Sequence, residues 1–394
     1  MLFVISGIPP SEGGTGQLVA YLHEWLSTNK KSGVILISRP DSMRRDQFLG
    51  LLRSLNFFTA FSEVIRFSYL TLIFQIQLLR IRIFSKSQIL MLHPQNLGYS
   101  LALNILRGRK STSTIYLLDS SFFCVASYNH IQGQFTPCFS CLSKNSTVAR
   151  EMGCAPFPRN DEMGFNFTDE IKGMVRDGRI KLLAQNEKQA IIAAKHFDLK
   201  QLPRVVGLWS KDWTGFLEDS KAVPNDKPRT YTWDIVFHGH LLDAKGVGWL
   251  IEVAKYCPNL NFLFPFSRPS SYTSIPKNCE FQSCSWEDGL KDIVMNARFV
   301  AVPSLWSAPI EGSLIKSIVY ARGVIVANNE TAFCSELPKG LIFVASSNPI
   351  IAAEQVSALC ESDWIAPSQI RSAWVEKFCF ENEDFAEKLF HLSI

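Results

Sequence analysis

Three stretches of this sequence carry residue types that can do chemistry. In the first, His238-Gly239-His240-Leu241-Leu242-Asp243-Ala244-Lys245-Gly246 leaves an apolar run and enters a helical pattern. A lysine at that crossing either neutralises a diphosphate as a point charge, helix N–H groups sharing the load, or is a solvated loop lysine. The second stretch follows another apolar run as Pro303-Ser304-Leu305-Trp306-Ser307-Ala308-Pro309-Ile310-Glu311-Gly312-Ser313-Leu314-Ile315-Lys316. Glu311 stands at a helix entry, where a carboxylate either caps the helix or accepts hydrogen bonds from sugar hydroxyls. The N–H groups of Gly312 to Leu314 can then face a phosphate. Lys316 either adds charge compensation or points to solvent. The third stretch is Gly13-Gly14-Thr15-Gly16, between an apolar run and a helical pattern. Its glycines let the backbone approach an anionic or polyhydroxyl ligand, or simply make a turn. The spacing is neither that of a dinucleotide fingerprint nor that of a P-loop.

Two further sets are weaker. His93 ends the run Ile89–Leu92 and precedes Pro94, and Asp119 ends Ile115–Leu118; either is a ligand contact or a structural polar group at a strand end. Cys124, Cys138, Cys141 and Cys154 lie in a loop rich in Pro, Ser, Gly and Asn. Four thiolates can enclose a tetrahedral zinc and pin such a loop, or they are partly buried reduced cysteines. A zinc there would be structural.

The elements that position these groups follow from apolar patterning. Runs at Leu2–Ser6, Val34–Ser38, Ile89–His93 and Ile115–Asp119 alternate with helical stretches, and a second series begins after Trp233 with DIVFHG, FLFPF, FVAVPS, VIVAN and LIFVA. Strands punctuated by helices predict α/β architecture with two parallel sheets. We divide the chain into a first Rossmann-like domain over 1–210, a linker over 211–231, a second Rossmann-like domain over 232–365, and C-terminal helices over 366–394 that return toward the first domain. Open parallel sheets bind ligands beyond the carboxyl ends of their strands, so all the motifs above face one cleft in this reading.

The order Lys245-Gly246, then VPSLW, then PIEG before a helix, with IPPSEGGTGQLV upstream, resembles glycosyltransferase family 4, and the resemblance spans nearly the whole chain. It implies a GT-B fold, a nucleotide-sugar donor (UDP- or GDP-linked), retention of configuration, and no cofactor or metal at the sugar phosphate. It implies that Lys245 grips the donor diphosphate and that Glu311 is the first glutamate of the family's Glu-x7-Glu pair. The donor site would comprise His240, Lys245, Gly246, Ser304, Glu311, Gly312, Ser313, Leu314 and Lys316. Gly13, Gly14, Thr15 and Gly16 would form the acceptor-side loop, with His93 and Asp119 joining Lys245 and Glu311 in catalysis. The sequence departs from the family at two places. His240 stands where an arginine is expected, and Lys316 to Val319 occupy the neighbourhood of the second glutamate. The expected function is hexosyl transfer to a glycan or lipid-linked acceptor in surface-glycan synthesis; the alternative is an inactive GT-B scaffold that binds a nucleotide-sugar or a partner enzyme.

Composition bounds these readings. With 394 residues, 47% hydrophobic and 19% charged, the chain has core enough for two domains. A net charge of +4 with scattered basic residues argues against a nucleic-acid partner. The N-terminus has no basic leader and reads as a buried strand, so a cytoplasmic protein is expected. The longest charge-free apolar run, Phe67 to Leu79, is short for a membrane crossing, for which about 20 residues are needed. The apolar stretch from Arg53 to Arg82 either packs into the first domain or lies on the anionic inner face of the cytoplasmic membrane.

Overall fold

A computed structural model describes the chain except residues 12, 13, 32, 41–56, 159, 160, 211, 212, 223–230, 273 and 363. The first sheet contains β1 (Leu2–Ser6), β2 (Val34–Ser38), β3 (Gln88–Leu92), β4 (Ser113–Tyr116), β5 (Ile180–Ala184) and β6 (Arg204–Val205), in the spatial order β2-β1-β3-β4-β5-β6. The second contains β7 (Ile235–Phe237), β8 (Phe262–Phe264), β9 (Cys279–Phe281), β10 (Phe299–Ala301), β11 (Val324–Ala327) and β12 (Phe343–Ala345), in the order β12-β11-β10-β7-β8-β9. Every pairing is parallel. IVF and all of LFVIS but its last residue, Ser6, are apolar, and β1 and β7 are buried at every position, as parallel strands covered on both faces are.

The strand orders fix where ligands can enter. The chain leaves β1 on one side for β2 and returns on the other at β3; in the second sheet the same reversal falls between β7 and β10. At such a reversal the crossovers diverge to opposite faces and leave a crevice beyond the carboxyl ends of the strands. His93 follows β3, and the glycine turn follows β1. His238 follows β7, and Val302 to Ser304 follow β10.

The helix Ser368–Asn382 buries Trp374, Val375 and Phe378 in the second domain's core. The last helix, Phe385–Ser393, returns to the first domain, where Phe385, Leu389 and Phe390 join Leu2, Val4 and Leu90. Gln88 Nε2 also donates to the Ile394 carbonyl at 2.6 Å.

Some elements differ from the patterning. β5, β6 and β9 are additions to the two series, β5 of full length and the other two short. The segment read as a linker over 211–231 contains a helix, Trp213–Ala222, whose Phe216 is fully buried against the second core. Its residues include Thr, Gly, Asp and Ser, weak helix formers, so tertiary packing and not propensity holds it. The apolar stretch that begins at Arg53 is one continuous helix over Phe57–Ile83, and Arg53 itself lies outside the described residues. By length and composition this helix is sufficient to cross a membrane, which the charge-free run alone had not indicated.

Candidate active site

Lys245 and Glu311, 66 residues apart, form an ion pair at the reversal point of the second sheet. Lys245 is held there by its turn. It closes a short 3-10 segment, Asp243–Lys245, and Gly246 follows at φ 84°. A Cβ on Gly246 would lie 2.1 Å from the Pro303 carbonyl oxygen, so only glycine lets this turn close against the loop after β10. The Leu305 N–H donates to the Ala244 carbonyl at 2.8 Å and ties the two loops together.

Glu311 occupies the N-cap position of the helix Gly312–Tyr320, but its side chain makes no cap bond. It turns back instead. Ser304 Oγ donates to Glu311 Oε2 at 2.8 Å, and Trp306 Nε1 donates to Oε1 at 3.1 Å. The carboxylate is thus fixed by three donors and is not a helix cap. The Lys245 ammonium also sits over the Trp306 ring at 5.1 Å and the Tyr128 ring at 5.7 Å.

The other donor-side residues divide between this cluster and its supports. His240 has a largely open residue surface, yet its ring is desolvated by neighbours. That desolvation and the Lys245 cation hold its imidazole below the usual range, with Glu311 pulling the other way. Gly312, Ser313 and Leu314 form the first turn of the helix; the Leu314 side chain is core, which leaves only its backbone for a ligand. Lys316 lies over the Trp286 ring at 4.6 Å, so its ammonium is engaged by an indole one turn along from the pocket. Trp286 also stacks on His238 at 5.2 Å and 2°. His238 Nδ1 pairs with Ser317 Oγ at 2.9 Å, and burial, with Lys316 and His240 nearby, pushes its pKa down to about 3.

On the first domain, His93 has φ 51° and precedes the short helix Pro94–Leu97. Gly7 makes that turn possible from the other strand: a Cβ there would lie 2.3 Å from the His93 carbonyl oxygen. Asp119 Oδ2 accepts from Gln95 Nε2 at 2.6 Å and lies 3.5 Å from His93 Nε2; its Oδ1 accepts from the Ser121 N–H at 2.8 Å. Burial lowers the His93 pKa despite the nearby Asp119 carboxylate, which keeps the ring neutral near pH 7. A cavity of about 20 Å³ lined by His93, Gln95, Asp119 and Phe122 adjoins this cluster and has room for about one water. Of the glycine turn, Gly13 lies outside the described residues, while Gly14, Thr15 and Gly16 begin the helix Gly14–Thr28.

Loop 120–133 joins the two sides. Asn129 Oδ1 accepts from Ser307 N–H at 3.0 Å, Ser307 Oγ at 2.8 Å and Ser120 Oγ at 3.0 Å. His130 Nε2 lies 3.2 Å from Asp243 Oδ2, and Tyr272 OH donates to Oδ1 at 3.0 Å; these contacts hold the Asp243 carboxyl below its ordinary value although burial opposes them. Tyr128 stands between Asp119 and Glu311, and burial and then those two carboxylates raise its phenol well above the usual range. Sequence reasoning missed Tyr128, Asn129, Gln95 and Trp286. The Ser, Tyr and Asn of an irregular loop carry no periodic signal.

The structure does not support the zinc reading. Among the described residues no group of three or more His, Cys, Asp or Glu side chains is arranged to hold a metal, and Cys124, Cys138, Cys141 and Cys154 are free thiols. Burial and the neighbouring thiols raise the pKa of Cys124, Cys141 and Cys154, the Cys141 value to about 11. The loop is held instead by apolar packing and hydrogen bonds: Phe122 and Phe123 are buried, and Asn129 Nδ2 donates to the Cys138 carbonyl at 3.1 Å.

The sequence matches no protein-family model and no curated protein. Solved structures do match along the whole chain. Sucrose-phosphate synthase from Thermosynechococcus elongatus aligns with a TM-score of 0.59 at 12% identity, over 99% of this chain and 98% of that one. HepE of Anabaena in complex with UDP-glucose aligns at 0.55 and 11%, over 99% and 100%. An α,α-trehalose-phosphate synthase (UDP-forming) from Burkholderia vietnamiensis aligns at 0.51 and 11%, over 98% and 97%. The fold is GT-B. Two Rossmann-like domains and a last helix that returns to the first domain account for the end-to-end match.

Proposed function

We propose that this chain is a glycosyltransferase of the family 4 type that moves a hexose from a nucleotide-sugar to a glycan or lipid-linked acceptor, with retention of configuration. The observation that carries the reading is the meeting of Lys245 and Glu311 at the reversal point of the second sheet, with Tyr128 of the first domain beside them. Nucleotide-sugars bound to proteins of this fold, such as UDP-glucose on HepE, support the donor class.

In this reading the donor diphosphate lies over the first turn of helix Gly312–Tyr320, and Lys245 supplies the cation. Glu311, oriented by Ser304 and Trp306, accepts from donor hydroxyls and holds the ammonium in place beforehand. The bond from the sugar's anomeric carbon to the diphosphate oxygen breaks and the acceptor hydroxyl oxygen bonds on the same face. The hydroxyl proton passes to the departing diphosphate. Negative charge grows on that diphosphate in the transition state, which is where a positioned cation is worth most. His93, neutral through burial, and Asp119 orient acceptor hydroxyls in this reading, and His93 is a poor general acid.

A thermal-shift screen against UDP-, GDP- and other nucleotide-hexoses tests this, because a ligand that binds only the folded state raises the melting point. The expected result is a shift with one nucleotide class, followed by nucleotide release when a glycan acceptor is added. A panel with no shift overturns the reading. Donor binding with no release for any acceptor would match an inactive scaffold instead.

A further inference from the structure

The helix Phe57–Ile83 has a core face and an outer face, and both are apolar. Phe74, Leu78 and Ile81 are buried in the first domain's core. On the opposite side Phe58, Phe61, Ile65, Tyr69, Leu72 and Ile76 recur at spacings of three and four, which puts them on one stripe. All six are exposed, Phe58 at 86% and Phe61 at 64%. Burying such side chains stabilises by roughly 1.5–3 kcal/mol each, so leaving them in water is costly.

Two observations say what covers this surface. Over residues 58–70 the exposed apolar side chains are not confined to the stripe: Val64, Phe67 and Leu70 leave the helix on its other sides and are exposed too. A second copy of the chain, packing helix on helix, would cover one seam and leave these three in water. A lipid surface meets all of these exposed side chains while Ala60 stays buried against the protein. The charge also fits: Arg66 pairs with Glu63 at 3.4 Å within the segment, and Arg80, Arg82 and Lys86 add three cations toward the other end of the helix with no further carboxylate over residues 57–86. Anionic headgroups attract such a segment by about 1 kcal/mol per cation. The helix is long and apolar enough to cross a bilayer, but crossing would pull Phe74, Leu78 and Ile81 out of the core.

We propose that residues 58–70 insert into the headgroup and upper acyl region of an anionic bilayer while the rest of the helix stays docked, so that the protein works on a membrane surface. This stands apart from the transferase reading and rests on the first domain alone.

Flotation with vesicles of phosphatidylcholine, with and without phosphatidylglycerol, tests it. The whole chain should float with the anionic vesicles at low salt and bind at least tenfold less to the neutral ones. The triple variant F61S/I65S/Y69S changes only exposed positions and should lose at least tenfold in vesicle binding, with its melting point and any nucleotide-sugar shift unchanged. R66Q/R80Q should weaken the salt-sensitive part of the binding, since Arg82 and Lys86 remain. Absence of binding to either vesicle at low salt overturns the proposal. So does a stable dimer by light scattering that the same triple variant abolishes, since the stripe would then be a seam between copies.

Discussion

At the end of the second sheet Lys245, Glu311, Ser304 and Trp306 satisfy one another, whereas at the end of the first sheet His93 Nδ1 and Gln95 Oε1 are buried with no partner among the described residues. The contrast sets a charged group paired beforehand against a polar cluster with unused hydrogen-bonding capacity. A charged group that must stabilise a developing anion works best when its position is fixed beforehand, because no reorganisation is then needed during reaction. The two unpaired atoms of the first sheet belong to residues that line the cavity with room for about one water, which can partner them.

The comparison breaks most visibly at Glu311. Glu311→Ala leaves the largely buried Lys245 ammonium uncompensated and should cost about 3–5 kcal/mol of stability in chemical denaturation. Lys245→Ala leaves Glu311 with two donors and should cost less in stability, but about 2–4 kcal/mol of barrier, a tens- to several hundred-fold loss of turnover. Full turnover in that variant would remove Lys245 from the chemistry.

Acid probes the buried imidazoles. His238 on the second domain and His196 on the first are both held down to about 3 by burial, from an ordinary value of 6.5. The unfolded chain therefore binds more protons between these limits, and stability falls as pH drops below about 6.5, by up to about 1.4 kcal/mol per pH unit for each ring. A melting point that is flat from pH 7 to pH 5 would contradict the burial of both. His238→Gln should flatten the slope. The smallest effect is expected at the first sheet: His93→Asn should raise the acceptor KM less than tenfold, with donor affinity unchanged, as steady-state kinetics would show.

Much of this arrangement was legible in the sequence because strong periodic signals lie next to the site. β1 and β2 match their apolar runs residue for residue, although β1 is buried throughout and β2, at the sheet edge, is only partly covered. The strand ends put Lys245 and Glu311 at one cleft, and the family resemblance, not their spacing, joined them in a donor site. The interdomain latch at Asn129, the indole under Lys316 and the helix Trp213–Ala222 did not, because each depends on a partner distant in sequence. The cysteine quartet misled for the opposite reason. Its spacing suggested a metal, while Phe122, Phe123 and Asn129 already hold the loop.

Titration calorimetry of a nucleoside diphosphate and its parent nucleoside, against the wild-type chain and Lys245→Ala, tests the central claim most directly. The account predicts that the variant binds the diphosphate ten- to a hundredfold more weakly and the nucleoside equally well. Equal diphosphate affinity in the two proteins would show that Lys245 does not meet the phosphates, and the donor site would have to lie elsewhere.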